Sequence, residues 1–342
     1  MKQNKRYFIV FAVVVVLAFF LAQYRLPYYI YQPGSADDLN PVVQVQDGFK
    51  SDGEMHLVTV SGGPATPIRY VIAKILPYHE IYDIEDILPE GVSQNEYHHA
   101  QLQVMESSQE AAQVVAYQAA GKDITINYDG VYVMSVGQDM PAEGKLEIGD
   151  RIIEVNGKEI KKSEELIDLI APLKVGDSVE VTFERKNKKM TKTVSLQKHP
   201  EEDRAIMGIG LVTDRSVKVD PAVNFKSGEI GGPSAGLMFS LEIYDQLTES
   251  DITKGYQVAG TGEISYEGKV GRIGGIDKKV VASDEEGIEI FFAPNEGGKE
   301  GSNYEVAKKT AEDIGTDMKI VPVDTFDEAL QYLKDLDPKT ED

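Results

Sequence analysis

The residues with the clearest chemical potential are a serine and a lysine, each in a glycine-rich stretch. Ser234 lies within Gly-Gly-Pro-Ser-Ala-Gly at positions 231–236, and Lys279 closes Gly-Gly-Ile-Asp-Lys-Lys at positions 274–279. A serine hydroxyl is a weak nucleophile until a base removes its proton. All five histidines precede Ser234 in the chain, and none lies in a comparable motif. The residue types therefore predict a Ser–Lys hydrolase that needs neither metal nor cofactor.

A lysine can serve as that base only when it is neutral. Its ordinary pKa lies near 10.4, so deprotonation at pH 7 costs about 4.6 kcal/mol. Burial can lower a lysine pKa by roughly 3–5 units, which removes this cost. Val280, Val281 and Ala282 follow Lys279 and predict a partly buried helix, whereas we expect the neighbouring Lys278 to face solvent.

The small residues around Ser234 suit a site at which a substrate backbone comes close. Pro233 favours the start of a helix, and we predict one over 234–247. Free N–H groups and the positive end of the dipole lie at a helix start. We expect the N–H groups of Ser234 and Gly232 to form an oxyanion hole.

Composition limits the classes of partner. The formal net charge of -22 excludes the basic surface expected of a nucleic-acid binder. Two interpretations of this acidity stay open, namely a soluble, self-repelling surface and a preference for cationic peptides. The absence of cysteine excludes disulfides, thiolate chemistry and cysteine-ligated zinc. At 342 residues the chain is long enough for two or three domains.

The N-terminus predicts a membrane anchor. Lys2, Lys5 and Arg6 precede an apolar run, and we place the span at residues 7–24. The positive charges predict a cytoplasmic N-terminus, with everything after Arg25 outside the cytoplasm. A cleaved signal peptide is the alternative, but Phe-Leu-Ala at 20–22 is not a small-x-small cleavage site. Pro-Gly-Ser-Ala-Asp-Asp at 33–38 predicts an exit linker.

A β-rich segment at 125–198 carries a second set of motifs. These are Met-Pro-Ala-Glu-Gly-Lys-Leu at 140–146, Gly-Asp at 149–150, Val-Asn-Gly at 155–157 and Gly-Asp at 176–177. The segment resembles a PDZ domain of the bacterial kind, and PDZ domains bind extended peptides at a sheet edge. We expect that edge at Val131, Tyr132 and Val133. No Gly-Leu-Gly-Phe-like loop precedes Val131, so a looser docking role, or simple packing on a neighbouring domain, stays open.

The stretch between Ser234 and Lys279 adds Thr-Gly-Glu-Ile at 261–264. Together these motifs resemble the proteolytic domain of the Lon proteases over about 207–323. The resemblance implies that Ser234 is the nucleophile, that Lys279 is the general base and that Thr261 hydrogen-bonds the lysine. The sequence departs from the family in having no phosphate-binding loop and in having Gly231 where an acidic residue is usual.

The whole chain resembles the membrane-anchored PDZ-Lon proteases of Gram-positive bacteria. We therefore expect an α+β multidomain fold in which a PDZ-like β domain is inserted into a Lon-type proteolytic unit behind an N-terminal transmembrane helix. The predicted segments are 1–36 for the cytoplasmic N-terminus, anchor and linker, 37–124 for the first part of the protease unit, 125–198 for the PDZ-like domain, 205–336 for the Lon-type domain and 337–342 for a disordered tail.

This resemblance implies an ATP-independent serine endopeptidase at the cell membrane. We expect extracytoplasmic peptides or small membrane proteins as substrates, roles in peptide signalling or cell-division control, and no nucleic-acid partner, with a homo-oligomer left open. The alternative is a non-catalytic membrane scaffold that binds peptides through the PDZ-like domain.

Overall fold

The computed structural model describes residues 2–88, 94–199, 202 and 204–340. The helices are α1 (Lys2–Gln23), α2 (Pro67–Ile75), α3 (Ile84–Ile87), α4 (Gln94–Ala119), α5 (Ser163–Ile170), α6 (Gly236–Leu247), α7 (Ile276–Glu285), α8 (Asn303–Ile314) and α9 (Phe326–Lys334). The strands are β1 (Tyr28–Asp38), β2 (Val43–Val45), β3 (Glu54–Pro64), β4 (Glu80–Asp83), β5 (Asp123–Val136), β6 (Arg151–Val155), β7 (Lys158–Glu159), β8 (Ser178–Arg185), β9 (Lys188–Ser195), β10 (Gln197–Lys198), β11 (Ala205–Ile206), β12 (Ile209–Asp220), β13 (Val223–Phe225), β14 (Gln257–Gly260), β15 (Glu263–Ile264), β16 (Val270–Gly271), β17 (Ile290–Pro294) and β18 (Lys319–Val323).

The chain forms two compact units. The first combines residues 1–124 with residues 219–342, and the second consists of residues 125–218. In sequence, the second unit is therefore an insertion in the first. It extends beyond the 125–198 segment because β12 joins the same sheet as β5.

The first unit is built on a six-stranded sheet in the order β18-β17-β14-β3-β1-β4. The strands from β18 to β3 run parallel, whereas β1 runs antiparallel to β3 and to β4. Alternate side chains of β17 face opposite layers, as a two-residue strand period requires. Phe291 packs in the core with α7 and α8, while Phe292 packs in the core with α4, α6 and α9.

The predicted linker at 33–38 is wrong, because these residues lie inside the sheet as part of β1. A β-bulge between Pro33 and Ala36 lets the strand include residues that normally interrupt one. At Gly34 a Cβ would lie 2.6 Å from the carbonyl oxygen of Thr59, so only glycine allows this approach. The sheet of the first unit thus begins five residues after α1 ends at Gln23.

The second unit is a β-rich domain with one helix, α5. Its sheet has the order β12-β5-β6-β8-β9, and β7 pairs with β6. Its core contains Val131, Ile152, Leu166, Val181 and Phe183, all of them buried. The core draws on each long strand and on α5, so this unit has its own packed interior.

The C-terminal end of the predicted tail, residues 341–342, lies outside the described residues. Residues 337–340 have no helix or strand, yet Lys339 is held to the first unit. Its N–H donates to the carbonyl of Lys254 at 2.9 Å, and its Nζ lies 2.8 Å from Glu289 Oε2.

The helix α6 is buried along its whole length and carries acidic residues inside the core. Glu242 is only 3% exposed and accepts a hydrogen bond from Gln246 Nε2 at 2.6 Å. Burial raises the pKa of the Glu242 carboxyl to about 8. Its folded pKa exceeds its ordinary value, so its stabilising contribution is complete below about pH 4.5 and is lost as the pH rises towards 8.

We predict that Glu242→Gln raises the free energy of unfolding at pH 8 by on the order of 2 kcal/mol and flattens its pH dependence between pH 5 and pH 8. The oxygen of the introduced glutamine can still accept the hydrogen bond from Gln246. Asp245 is present in both the wild type and the variant, so it does not account for a difference between them. Urea unfolding at several pH values checks this, with exposed Glu312→Gln as control. An unchanged pH dependence would contradict it.

Candidate active site

The side chains of Ser234 and Thr261, from distant parts of the sequence, both lie within hydrogen-bonding distance of the Lys279 amine. Its Nζ lies 3.0 Å from Ser234 Oγ and 3.0 Å from Thr261 Oγ1, and it donates to the carbonyl oxygen of Val58 at 2.8 Å. The lysine side chain is buried. The fold therefore brings together the serine, lysine and threonine that the sequence motifs indicate.

The hydrogen bonds around this amine set the direction of its lone pair. The Thr261 hydroxyl donates its only hydrogen to the carbonyl oxygen of Ser234 at 3.0 Å, so it can only accept from Lys279. The carbonyl of Val58 also only accepts. A neutral amine has two N–H bonds, and these two acceptors use both. Its lone pair then points at the hydroxyl hydrogen of Ser234.

Burial supplies the electrostatic condition for that neutral state. It lowers the pKa of Lys279 to about 7, because the charged form would lose its hydration. The amine thus exchanges its proton near neutral pH, as a general base requires.

Each of the three residues is fixed by a different element. Lys279 lies in α7, whose N-cap Gly275 adopts a left-handed conformation with φ 67°. Thr261 directly follows β14, and its N–H donates to the carbonyl of Phe292. Ser234 lies in a turn before α6, and its carbonyl accepts from Gly262 N–H at 2.9 Å. The prediction that the helix begins at Ser234 is wrong by two residues, since α6 starts at Gly236.

The predicted oxyanion donors differ in their availability. The N–H of Gly232 donates to the carbonyl of Gln101 at 2.9 Å, so this donor is occupied in the structure. Within the described residues the N–H groups of Ser234 and Ala235 have no backbone or side-chain acceptor. A share for Gly232 in an oxyanion hole would require the bond to Gln101 to open.

Lys278 does not face solvent as predicted. It is 1% exposed, and its Nζ lies 2.8 Å from Glu80 Oε2 and 3.0 Å from Asp277 Oδ2. Glu80 comes from β4 at the far edge of the sheet, a partner that the local sequence around Lys278 does not reveal. The ion pairs offset the cost of burying this charge beside the neutral Lys279.

Ser234 and Lys279 line a groove of about 1210 Å³. Its lining includes residues of β1, β3 and α4, the turn at 231–235 and the turn at 273–275. The strand β14 ends at Gly260 opposite Leu57, whereas β3 continues to Pro64. The groove is lined by every β3 residue from Leu57 to Pro64, so the edge that β14 leaves uncovered borders it.

A separate groove of about 350 Å³ lies in the second unit, between α5 and the start of β12. Its lining includes Leu166, Ile167 and Ile170 on one side and residues 208–211 on the other. The predicted edge at Val131, Tyr132 and Val133 is wrong, because β5 lies between β6 and β12. The sequence signal that we missed is Gly-Ile-Gly-Leu at 208–211, which follows the domain's other strands instead of preceding them.

Comparison with known proteins finds two family matches along the chain. The family profile of the PDZ domain matches residues 103–196, and that of the Lon protease (S16) C-terminal proteolytic domain matches residues 214–334. The chain combines a PDZ domain with a Lon-type proteolytic domain. The Lon domain contains Ser234, Thr261 and Lys279, and the PDZ domain contains α5.

Individual relatives match parts of the chain. The Lon protease of Methanosarcina barkeri is 30% identical over 212 residues, which is 55% of this chain and 25% of that protein. The Lon protease of Mycoplasma mobile is 29% identical over 167 residues, or 46% of this chain and 19% of that protein. The chain thus spans at most about a quarter of these curated relatives. The solved PDZ domain of the SdrC-like protein from Listeria monocytogenes is 40% identical and covers 26% of this chain and 93% of its own, with a TM-score of 0.25.

We predict that the rate at which a fluorophosphonate labels Ser234 rises with pH around a midpoint near 7, because Lys279 must lose its proton first. Lys279→Arg should abolish labelling, since arginine stays protonated. Exposed Lys308→Met is the control and should keep the wild-type profile. A labelling rate that is flat between pH 5 and pH 9 would contradict the assignment of Lys279.

Proposed function

We propose that this protein is a serine endopeptidase that uses Ser234 and Lys279 as its catalytic pair. The observation that carries the proposal is the buried amine of Lys279, which lies 3.0 Å from the serine hydroxyl and within hydrogen-bonding distance of two further acceptors, Thr261 Oγ1 and Val58 O. Such an arrangement suits proton transfer from a serine.

In the proposed reaction Ser234 Oγ attacks the scissile carbonyl while its proton moves to Lys279 Nζ. The Ser234 N–H stabilises the oxyanion, and Gly232 contributes if Gln101 releases it. The lysine ammonium then gives its proton to the leaving amine, which breaks the C–N bond and leaves an ester on Ser234. Water, deprotonated by the same amine, hydrolyses that ester and restores both residues. Thr261 acts as a positioning residue for the amine.

The groove favours extended polypeptide as substrate. The edge of β3 that β14 leaves uncovered offers backbone hydrogen-bonding groups to an added strand, the mode by which many proteins hold peptides. We propose that cleavage is independent of ATP, since no sequence in the chain resembles a phosphate-binding loop. Cleavage that does not use ATP would be restricted to substrates that are short or already unfolded.

We further propose that the enzyme acts at the membrane on extracytoplasmic peptides and small membrane proteins. Arg6–Gln23 within α1 is apolar and long enough to cross a bilayer, and three basic residues precede the apolar run. The likeness to the PDZ-Lon proteases of Gram-positive bacteria supports roles in peptide signalling or cell division. A non-catalytic scaffold is less well supported, because it gives no reason for a buried lysine beside Ser234.

A second proposed function is peptide capture by the PDZ domain. Its groove combines apolar residues of α5 with β12, which is the outermost strand of its sheet. An extended peptide added to β12 would place alternate side chains against α5.

Ser234→Ala should lower peptide cleavage by at least about 10³-fold, because removal of a nucleophile leaves only weak residual catalysis. Thermal unfolding should be unchanged, and fluorophosphonate labelling should be lost. Ser107→Ala, at an exposed serine of α4, is the control. Undiminished cleavage by Ser234→Ala would rule out this nucleophile.

Ile167→Glu should weaken peptide binding to the PDZ groove by at least about tenfold, because it places a charge where an apolar side chain would dock. Ile167 is 50% exposed and lines the groove. The matched control is Val175→Glu, which is 56% exposed and is not part of the groove lining. Isothermal titration with extended peptides measures both variants, and equal affinities would refute the assigned groove.

A further inference from the structure

The helix α2 exposes an apolar face. Ile68, Val71, Ile72, Ile75 and Leu76 are each between 43% and 75% exposed. Their spacing of three, one, three and one residues places them along one side of a helix. Soluble surfaces rarely carry so many large aliphatic residues side by side, so this face requires a cover.

The opposite side of α2 is already packed, which fixes the orientation of the exposed face. Ala73 is buried in a small cluster with Ile30 of β1 and Ala65, the residue before the helix cap. Thr66 caps the helix by accepting from Arg69 N–H, and the Arg69 guanidinium donates to the carbonyl of Pro64. The helix therefore cannot turn its aliphatic residues inwards without breaking these contacts.

The surroundings of α2 connect this face to the N-terminal apolar helix. The helices α1 and α2 are in contact, and the N–H of Leu26, just after α1, donates to the carbonyl of Ala65 at 2.8 Å. The exposed face thus lies where a membrane-crossing α1 would leave the bilayer. The rings of Tyr28 and Tyr70 pack against each other nearby, tilted by 39° with centroids 5.1 Å apart, and tyrosine is enriched at membrane interfaces.

Charge favours a lipid surface over another acidic protein. The chain has 57 acidic residues, yet residues 1–36 and 55–79 contain none. These two stretches carry α1, most of β1 and α2. Within α2 the charged residues are Arg69 and Lys74. A second copy of this chain, with its net charge of -22, would bring like charge to most contacts, whereas anionic headgroups attract a basic helix.

We propose that α2 is an interfacial helix that inserts its aliphatic face into the outer boundary of the bilayer crossed by α1. Helices of this kind bury the apolar face about 5–10 Å into the headgroup and acyl boundary. Together with α1, this second contact fixes the orientation of the first unit on the membrane. Tyr29 and Tyr31 of β1 line the groove, so the contact also keeps the groove close to the lipid surface. The insertion itself does not depend on the proposed protease activity.

The chain contains no tryptophan, so a single introduced tryptophan reports only on its own position. The full chain carrying Ile75→Trp or Val71→Trp is reconstituted into phosphatidylcholine–phosphatidylglycerol vesicles, with and without phosphatidylcholine brominated on its acyl chains. The control is Ile148→Trp in the PDZ domain, where Ile148 is 71% exposed against 75% for Ile75. Circular dichroism verifies that each variant is folded.

We expect the emission of the Ile75→Trp and Val71→Trp proteins to shift to shorter wavelength and to fall at least about twofold with brominated lipid, while Ile148→Trp is unaffected. Quenching of Ile75→Trp equal to that of Ile148→Trp would overturn the proposal. A blue shift without quenching would also overturn it, because a second copy or another protein would then cover the face. None of these outcomes depends on whether Ser234 cleaves a substrate.

Discussion

The central constraint on this molecule is that one buried amine must be able to lose its proton near neutral pH. The amine of Lys279 is buried, and its hydrogens have two acceptors, Val58 O and Thr261 Oγ1. Burial lowers its pKa to about 7, and the two acceptors fix its orientation. Neither feature alone would make a base, because a misdirected neutral amine and a well-directed ammonium are equally unable to take a proton from Ser234.

Much of the first unit serves to position that amine. The sheet brings Val58 on β3 next to Thr261 after β14. The helix α7 places Lys279 so that its amine contacts the Val58 carbonyl and the Thr261 hydroxyl. The hydrogen bond from Gly262 N–H to the Ser234 carbonyl connects the Ser234 turn to the same strand end. The neighbouring Lys278 forms ion pairs with Glu80 and Asp277. Two adjacent buried lysines thus have different surroundings, because only Lys278 has carboxylate partners.

The sequence was most informative where the constraint is local. The glycine-rich turns around Ser234 and Lys279, together with the strand at Thr261, indicated the three residues that the fold brings together.

Features that depend on partners distant in the sequence could not be predicted from local motifs. The stretch at 33–38 has the composition of a linker, and only a bulge and the close approach of Thr59 make it a strand. The burial of Lys278 depends on Glu80, nearly 200 residues earlier in the chain. The occupied N–H of Gly232 depends on Gln101 in α4. The PDZ groove was missed because its glycine-containing strand follows the rest of the domain, whereas the expected position for such a loop was before Val131.

The central claim is tested most directly by measuring the pKa of Lys279 itself. In protein labelled with ¹³C at the lysine ε-carbons, the resonance lost in Lys279→Arg identifies this residue, and its chemical shift is followed against pH. We expect the midpoint of this titration near 7. A midpoint for Lys279 at or above 10 would show that the amine is charged at neutral pH and would contradict the account.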